Sequence, residues 1–163
     1  MIRPSLECDS DAIRKLIDAA FAPSQYESRL REIVVRQNYL HSEWVVEQDS
    51  QITAHILYTS ATHENSIIGY HLAPVAVHPD FQNEGIGTML VRETLSLDPI
   101  CNGSVFVLGD PEFYERFGFT RPVSARCPFD NNNEHFRALR WVDSEEPFTV
   151  GYSPAFEKAD PNA

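Results

Sequence analysis

Leu72-Ala73-Pro74-Val75-Ala76-Val77-His78-Pro79-Asp80-Phe81-Gln82-Asn83-Glu84-Gly85-Ile86-Gly87-Thr88 decides how this chain folds. An apolar run breaks at His78-Pro79-Asp80 and passes two glycines into a stretch without helix breakers. That order predicts a strand over Ile67 to Val77, a turn, and a helix from Gly87 to about Leu97 that stops near Asp98-Pro99. The start of a helix carries backbone N–H groups with no intrahelical acceptor and a partial positive charge, so a polyphosphate can bind there with few basic side chains. Gly85 and Gly87 lack a Cβ and let phosphate oxygens approach those amides. Glycine pairs also serve many strand-to-helix turns for steric reasons, so the turn alone leaves both readings open. No Gly-Lys-Ser/Thr follows and a third glycine is missing, which excludes the nucleotide P-loop and the dinucleotide fingerprint.

Working outward, Ile2 to Glu7 reads as a short strand, and Asp9 or Ser10 caps a helix with Ile13, Leu16, Ile17, Ala20 and Phe21 on one face. A second helix runs from Tyr26 to about Asn38. Trp44 to Glu47 and Ile52 to Thr62 read as antiparallel strands joined by the polar turn Gln48 to Gln51. Beyond the central helix, Ser104 to Leu108 is a buried strand, and Pro111 to Phe117 is a short helix stopped by Gly118. This strand, helix, strand order predicts a right-handed crossover and parallel pairing. Phe136 to Val142 and Phe148 to Tyr152 are expected to close the sheet as an antiparallel pair, with Asp130 to Asn133 as an exposed turn. The expected organisation is one domain over residues 1–155 and a C-terminal tail over 156–163, frayed from Glu157 onward.

Composition narrows the function. With 163 residues and 42% hydrophobic content the chain can close one core. No apolar run approaches the roughly 20 residues of a membrane span, and the N-terminus lacks the cationic-then-apolar build of a secretory signal, so a cytoplasmic protein without membrane contact is expected. Three cysteines at unrelated spacings fit neither a disulfide framework nor a zinc site; reduced thiols and no metal are expected. The excess of 24 acidic over 13 basic residues, a formal charge of −11, repels nucleic acid and favours a cationic partner, although solubility alone also accounts for it.

Gln82-x-x-Gly85-x-Gly87, preceded by Val75-Ala76-Val77-His78-Pro79, resembles the acyl-CoA-binding motif of the GNAT N-acetyltransferase superfamily. Gly109-Asp110-Pro111-Glu112-Phe113-Tyr114-Glu115-Arg116-Phe117-Gly118-Phe119 is similar to that superfamily's second signature, a tyrosine four residues before Gly-Phe. The element order also matches over most of residues 1–155, and Gly151-Tyr152-Ser153-Pro154-Ala155-Phe156 looks like a bacterial subgroup whose acceptors are mostly unassigned.

The resemblance implies an α/β fold of three layers around a mixed, mostly antiparallel sheet of about seven strands, splayed at a CoA-binding cleft. It implies direct transfer of an acetyl group from acetyl-CoA, as cosubstrate, to a primary amine, either a small cationic amine or a protein amino group, in a ternary complex. Carried over by position, main-chain groups of Val75, Ala76 and Val77 pair with pantetheine, an N–H there (that of Val77) faces the thioester oxygen, and Gln82, Asn83, Glu84, Gly85, Ile86, Gly87 and Thr88 hold the phosphates. Many relatives have a basic or neutral residue in place of Glu84, whose side chain is expected to face solvent. Tyr114 matches the residue that points its hydroxyl at the CoA sulfur. A phenol near pKa 10 protonates a thiolate near 8.5 only uphill, by roughly 2 kcal/mol, so a hydrogen bond to the leaving group competes with full transfer. The general base is left open between His71, Glu64 and neither. Asp110 is either a cleft residue or a helix cap, and Cys127 lacks a partner for nucleophilic work. Oligomeric state is open, a homodimer included. The alternative reading is an acyl-CoA-binding sensor or regulatory module without turnover.

Overall fold

The structure, a computed structural model, describes residues 1–162. β1 (Ile2–Pro4) opens the chain, followed by α1 (Ser10–Phe21) and α2 (Tyr26–Arg36). Three long strands come next: β2 (His41–Gln48), β3 (Gln51–His63) and β4 (Ser66–Val77). α3 (Ile86–Thr94), β5 (Ser104–Leu108), α4 (Pro111–Glu115), β6 (Ala125–Arg126), β7 (Phe136–Leu139), β8 (Phe148–Thr149) and α5 (Ala155–Ala159) complete it. The main sheet has the order β1-β2-β3-β4-β5-β7, and only the β4–β5 pair is parallel, because α3 carries the chain across between them.

Side-chain alternation along β3 divides the core between two helical layers. Ala54, Ile56 and Tyr58 face Ile86, Leu90 and Val91 of α3, while Leu57 faces Leu30 and Val34 of α2. Ile13, Leu16 and Ile17, at helical spacing on α1, meet Val45 and Ala76 on that second face. α2 is also tied to the sheet by a buried ion pair, Arg31 Nε to Glu43 Oε1 at 2.7 Å, and His55 Nε2 stands 2.7 Å from the same oxygen. Burial alone pushes the Glu43 carboxyl up; His55 and Arg31 together hold it well below the usual carboxylate range.

The sheet opens where β4 changes register. Ile56 pairs with Val75 but Tyr58 with Leu72, so Ala73-Pro74 contributes one residue too many for a straight ladder. Proline has no N–H to give a neighbouring strand and is found within sheets at edges and bulges, so Pro74 puts the irregularity there. On the other edge β5 pairs with β4 only from Gly69–Ser104 to His71–Phe106. At that junction a Cβ on Gly69 would overlap the Ser104 carbonyl oxygen, so only glycine allows the strands to come together before they part.

Three expectations change. Phe136–Leu139 does pair, but with β5; Phe148–Thr149 lies parallel to β6 in a separate two-stranded sheet. Among the described residues the main sheet has six strands, mixed and mostly antiparallel as expected, and is joined to the small pair through a Thr62–Gly151 bridge. Polar anchors divide the expected closing pair: Arg140, at φ 55°, donates to the Gly103 and Ile100 carbonyls, and Asp143 accepts from the Val123 and Ser124 amides, drawing the following residues toward β6. Asn133 in the expected exposed turn is buried, accepting from Cys127 N–H (3.0 Å) and donating to the Ala125 carbonyl (2.8 Å). The expected tail starts as α5, where Phe156 and Ala159 share a face buried against α2; Ala163 lies outside the described residues. No helix among the described residues is long and apolar enough to cross a membrane.

Candidate active site

Beyond His71 and Phe106 the parting of β4 from β5 leaves a cleft of about 1600 Å³. Its walls come from both layers: Val77, Phe81 and Tyr114 belong to the α3 side of the sheet, Tyr26, Tyr152 and Phe156 to the α2 side. The cleft therefore passes through the sheet. His78 N–H donates to the Thr53 carbonyl (2.9 Å), which makes Val77–Ala54 a non-hydrogen-bonded pair. By the alternation of an antiparallel ladder, Val75 and Val77 then turn their N–H and C=O groups toward the cleft, while those of Ala76 pair with His55. Ala76 thus contributes to the ladder and to the α1 core rather than free backbone groups.

At the α3 end, the first helical bond is Met89 N–H to Gly85 O at 3.0 Å, and the amides from Asn83 to Thr88 have no acceptor among the described residues. Gly85 has φ 81°, a left-handed conformation that a side chain would strain. A Cβ on Gly87 would press on Val77 Cγ2 at 3.3 Å. Asn83, Gly85, Ile86, Gly87 and Thr88 border the cleft; Glu84 is exposed and does not. Gln82 borders it too, but its side chain donates to the Val77 carbonyl (3.0 Å) and its N–H to the Pro79 carbonyl (3.4 Å), so it braces the turn. His78 does the same from the other side, Nδ1 accepting from Asp80 N–H. The Val77 N–H has no acceptor among the described residues, and the edge of the turn is a row of main-chain donors next to it.

α4 starts at Asp110, whose carboxylate accepts from Glu112 N–H (3.0 Å); it is a helix cap that also borders the cleft. One turn on, Tyr114 packs edge-on to Phe113 and Phe119. A Cβ on Gly109 would stand 2.7 Å from Tyr114 Cε2, so the glycine lets the ring lie against the end of β5. The Tyr114 hydroxyl has no hydrogen-bond partner among the described residues, and burial, then the charge of Asp110, pushes its pKa up to about 12. It is therefore a proton-bearing donor throughout the neutral range.

Of the two candidate bases, Glu64 sits exposed in the β3–β4 turn, away from the cleft. His71 borders it, at the point where the strands part. Its ring stacks on Tyr152 at 3.6 Å, and Nε2 lies 3.0 Å from the Gly151 carbonyl oxygen. Burial lowers its pKa to about 4, so the imidazole is neutral at neutral pH. Cys127 is buried, with Sγ 3.4 Å from the Tyr152 hydroxyl and its pKa raised by burial, the opposite of an activated thiol. Sequence reading missed Tyr26, Glu27, Phe129, Tyr152, Phe156 and Asp160 as cleft residues. Tyr152 and Phe156 lie in the Gly151 to Phe156 stretch, which gives no sign of a cleft, and no motif marks the others, since they come from α2, α5 and the loops that the tertiary fold brings together.

A family model described as an acetyltransferase (GNAT) domain matches residues 40–121. The chain is 26% identical over 148 residues to the uncharacterized N-acetyltransferase YhbS of Escherichia coli K12, covering 88% of each protein. The structure of Escherichia coli YhbS in complex with CoA shares the fold at a TM-score of 0.87 and 24% identity, over 96% of this chain and 91% of that one. A GNAT family acetyltransferase from Brucella melitensis in complex with acetyl-CoA aligns at a TM-score of 0.79 and 30% identity, over 96% and 97% of the two chains. The splayed sheet, the open donor row at α3 and these likenesses identify the chain as a member of the GNAT acetyltransferase family and an acetyl-CoA-dependent acyltransferase.

Proposed function

We propose that this enzyme transfers the acetyl group of acetyl-CoA directly to a primary amine, both substrates being bound at once on opposite sides of the opened sheet. The observation that carries the reading is the single cleft through the sheet, with main-chain donors at one end and an aromatic chamber at the other. The relatives solved with CoA and acetyl-CoA support acetyl-CoA as the cosubstrate, and the open amides at α3 support its phosphates at the donor end. There the amides from Asn83 to Thr88 take the pyrophosphate, where two anionic groups meet a helix N-terminus. The cleft-facing N–H of Val77 and C=O of Val75 pair with the pantetheine amides, extending the sheet by one false strand.

Attack forms a C–N bond and then breaks the C–S bond. The negative charge that grows on the thioester oxygen is met by the Val75 N–H, the cleft-facing donor nearer the junction, because Val77 lies against Gly87 at the pyrophosphate end and the pantetheine arm separates the two. Tyr114 serves the departing sulfur. Moving its proton from a group near 12 to a thiolate near 8.5 is uphill by about 5 kcal/mol, so it stabilises the thiolate by a hydrogen bond and solvent supplies the final proton. The amine nitrogen must shed one proton after attack. That proton goes to water in the cleft; His71, whose pKa is lowered to about 4, is too weak a base to take it and instead accepts a hydrogen bond from the amine.

A free-thiol assay with an amine panel tests the reading. Acetyl-CoA should raise Tm at saturation, and at least one amine should release thiol with formation of its N-acetyl product. Stabilisation by acetyl-CoA without product from any amine would leave a binding module; no stabilisation would remove the cosubstrate as well.

A further inference from the structure

Resting on the transferase reading, we infer that the acceptor is an alkyl diamine, acetylated on one nitrogen at the apex of the cleft while its far ammonium is held at the mouth by Glu27, Glu157 and Asp160. The inner end is defined by His71, which is 2% exposed. A carbonyl only accepts, so the 3.0 Å contact with Gly151 O puts the imidazole proton on Nε2 and leaves Nδ1 as a bare lone pair. Nδ1 has no partner among the described residues, yet is not among the atoms sealed from solvent. A lone pair fixed at the parting of β4 and β5 suits an N–H donor, which is what a neutral amine presents.

Aromatic rings lead outward from there. Tyr152 lies on His71, Phe156 stands 4.8 Å and Phe129 4.9 Å from Tyr152, and Phe129 is 61% exposed at the mouth. Such walls accommodate methylene groups and attract a cation to their faces. The outer end is anionic. Glu27 at the first turn of α2, with Glu157 and Asp160 at α5, borders the cleft, and none of the three forms an ion pair among the described residues. Glu27 accepts from Ser24 Oγ at 2.7 Å and Asp160 from Asn162 N–H at 2.8 Å, each by one oxygen. The cations on these helices are engaged elsewhere: Arg29 Nε donates to the Ala159 carbonyl, and Lys158 to Gln37 and Tyr39. The Tyr26 phenol, which borders the same cleft, is pushed up by burial and then by the charges of Asp160 and Glu27. A monoamine satisfies only the inner end, and an amino acid brings its carboxylate against like charges.

The test measures thiol release at saturating acetyl-CoA with putrescine, butylamine and γ-aminobutyrate, for the wild type and for the double variant Glu157→Gln, Asp160→Asn. The expected wild-type kcat/KM is about tenfold or more higher for putrescine than for butylamine, with γ-aminobutyrate lowest, and the putrescine preference falls toward one in the double variant. Because the preference is a ratio within one protein sample, partial unfolding of a variant does not alter it. A wild-type ratio near one, efficient use of γ-aminobutyrate, or a preference that survives both substitutions overturns the diamine assignment and leaves the transferase reading intact. Absence of thiol release with every amine, from protein that acetyl-CoA stabilises, overturns both.

Discussion

The two ends of the cleft are made of different material. Around α3 the surface offered is main chain, a row of N–H groups exposed by the geometry of a helix start and by glycine. Around α2 and α5 it is side chain: Tyr26, Glu27, Tyr152, Phe156 and Asp160, drawn from distant parts of the sequence. A site of the first kind tolerates substitution of its side chains but not of its backbone shape. One of the second kind can change its ligand one residue at a time on an unchanged fold. On the proposed function, the difference lets a common cosubstrate site and a private acceptor site share one cleft.

Substitutions can break or sharpen that contrast. The largest effect is expected between the two ends: Tyr114→Phe should lower kcat by about tenfold to a thousandfold while calorimetric acetyl-CoA affinity stays within about twofold, since only the leaving sulfur loses its partner. Equal turnover would remove Tyr114 from the chemistry. Next is the acceptor-side imidazole. His71 has a pKa lowered from 6.5 to about 4 in the fold, so the folded state resists its protonation. Stability from this source is complete above pH 6.5 and is lost as pH falls toward 4, by about 3 kcal/mol in all. Denaturant unfolding of the wild type and His71→Gln across that window should give curves whose separation shrinks with acidification; a constant separation would mean that the ring is not buried neutral.

The donor end carries the smaller predictions. Gly85→Val imposes a side chain on a φ of 81° and should raise the acetyl-CoA KM by about tenfold with less effect on kcat. Gln82→Ala removes only the brace on the Val77 carbonyl, so a KM change of about threefold is expected. If Gln82→Ala matched Gly85→Val, the donor end would depend on side chains after all.

Much of the donor end was legible in the sequence because its chemistry is local. Pro79, Gly85 and Gly87 lie within nine residues of each other, and a strand-to-helix turn dictates its own free amides whatever surrounds it. The spacing of Gly109, Tyr114 and Gly118 likewise describes one helix with its cap and its close approach. Reading Ala76 with its neighbours went too far, because which backbone groups face outward depends on the register with β3. Pro74 was the visible signal for the bulge, but a proline within an apolar run does not say which neighbouring strand departs.

By itself the sequence determined the order of elements from β1 to α4, the turn at the start of α3 and the place of Tyr114 on α4, since apolar periodicity, proline and glycine act over a few residues. Only the tertiary structure decided that β8 leaves β7 for β6, that residues 155–159 form a buried helix, and that His71, Tyr26 and Asp160 border one chamber. Those outcomes rest on contacts between residues as much as 130 positions apart, such as the hydrogen bond from the Tyr26 hydroxyl to the Phe156 carbonyl, and on hydrogen bonds such as those of Arg140 and Asp143 whose partners are chosen by packing rather than by spacing.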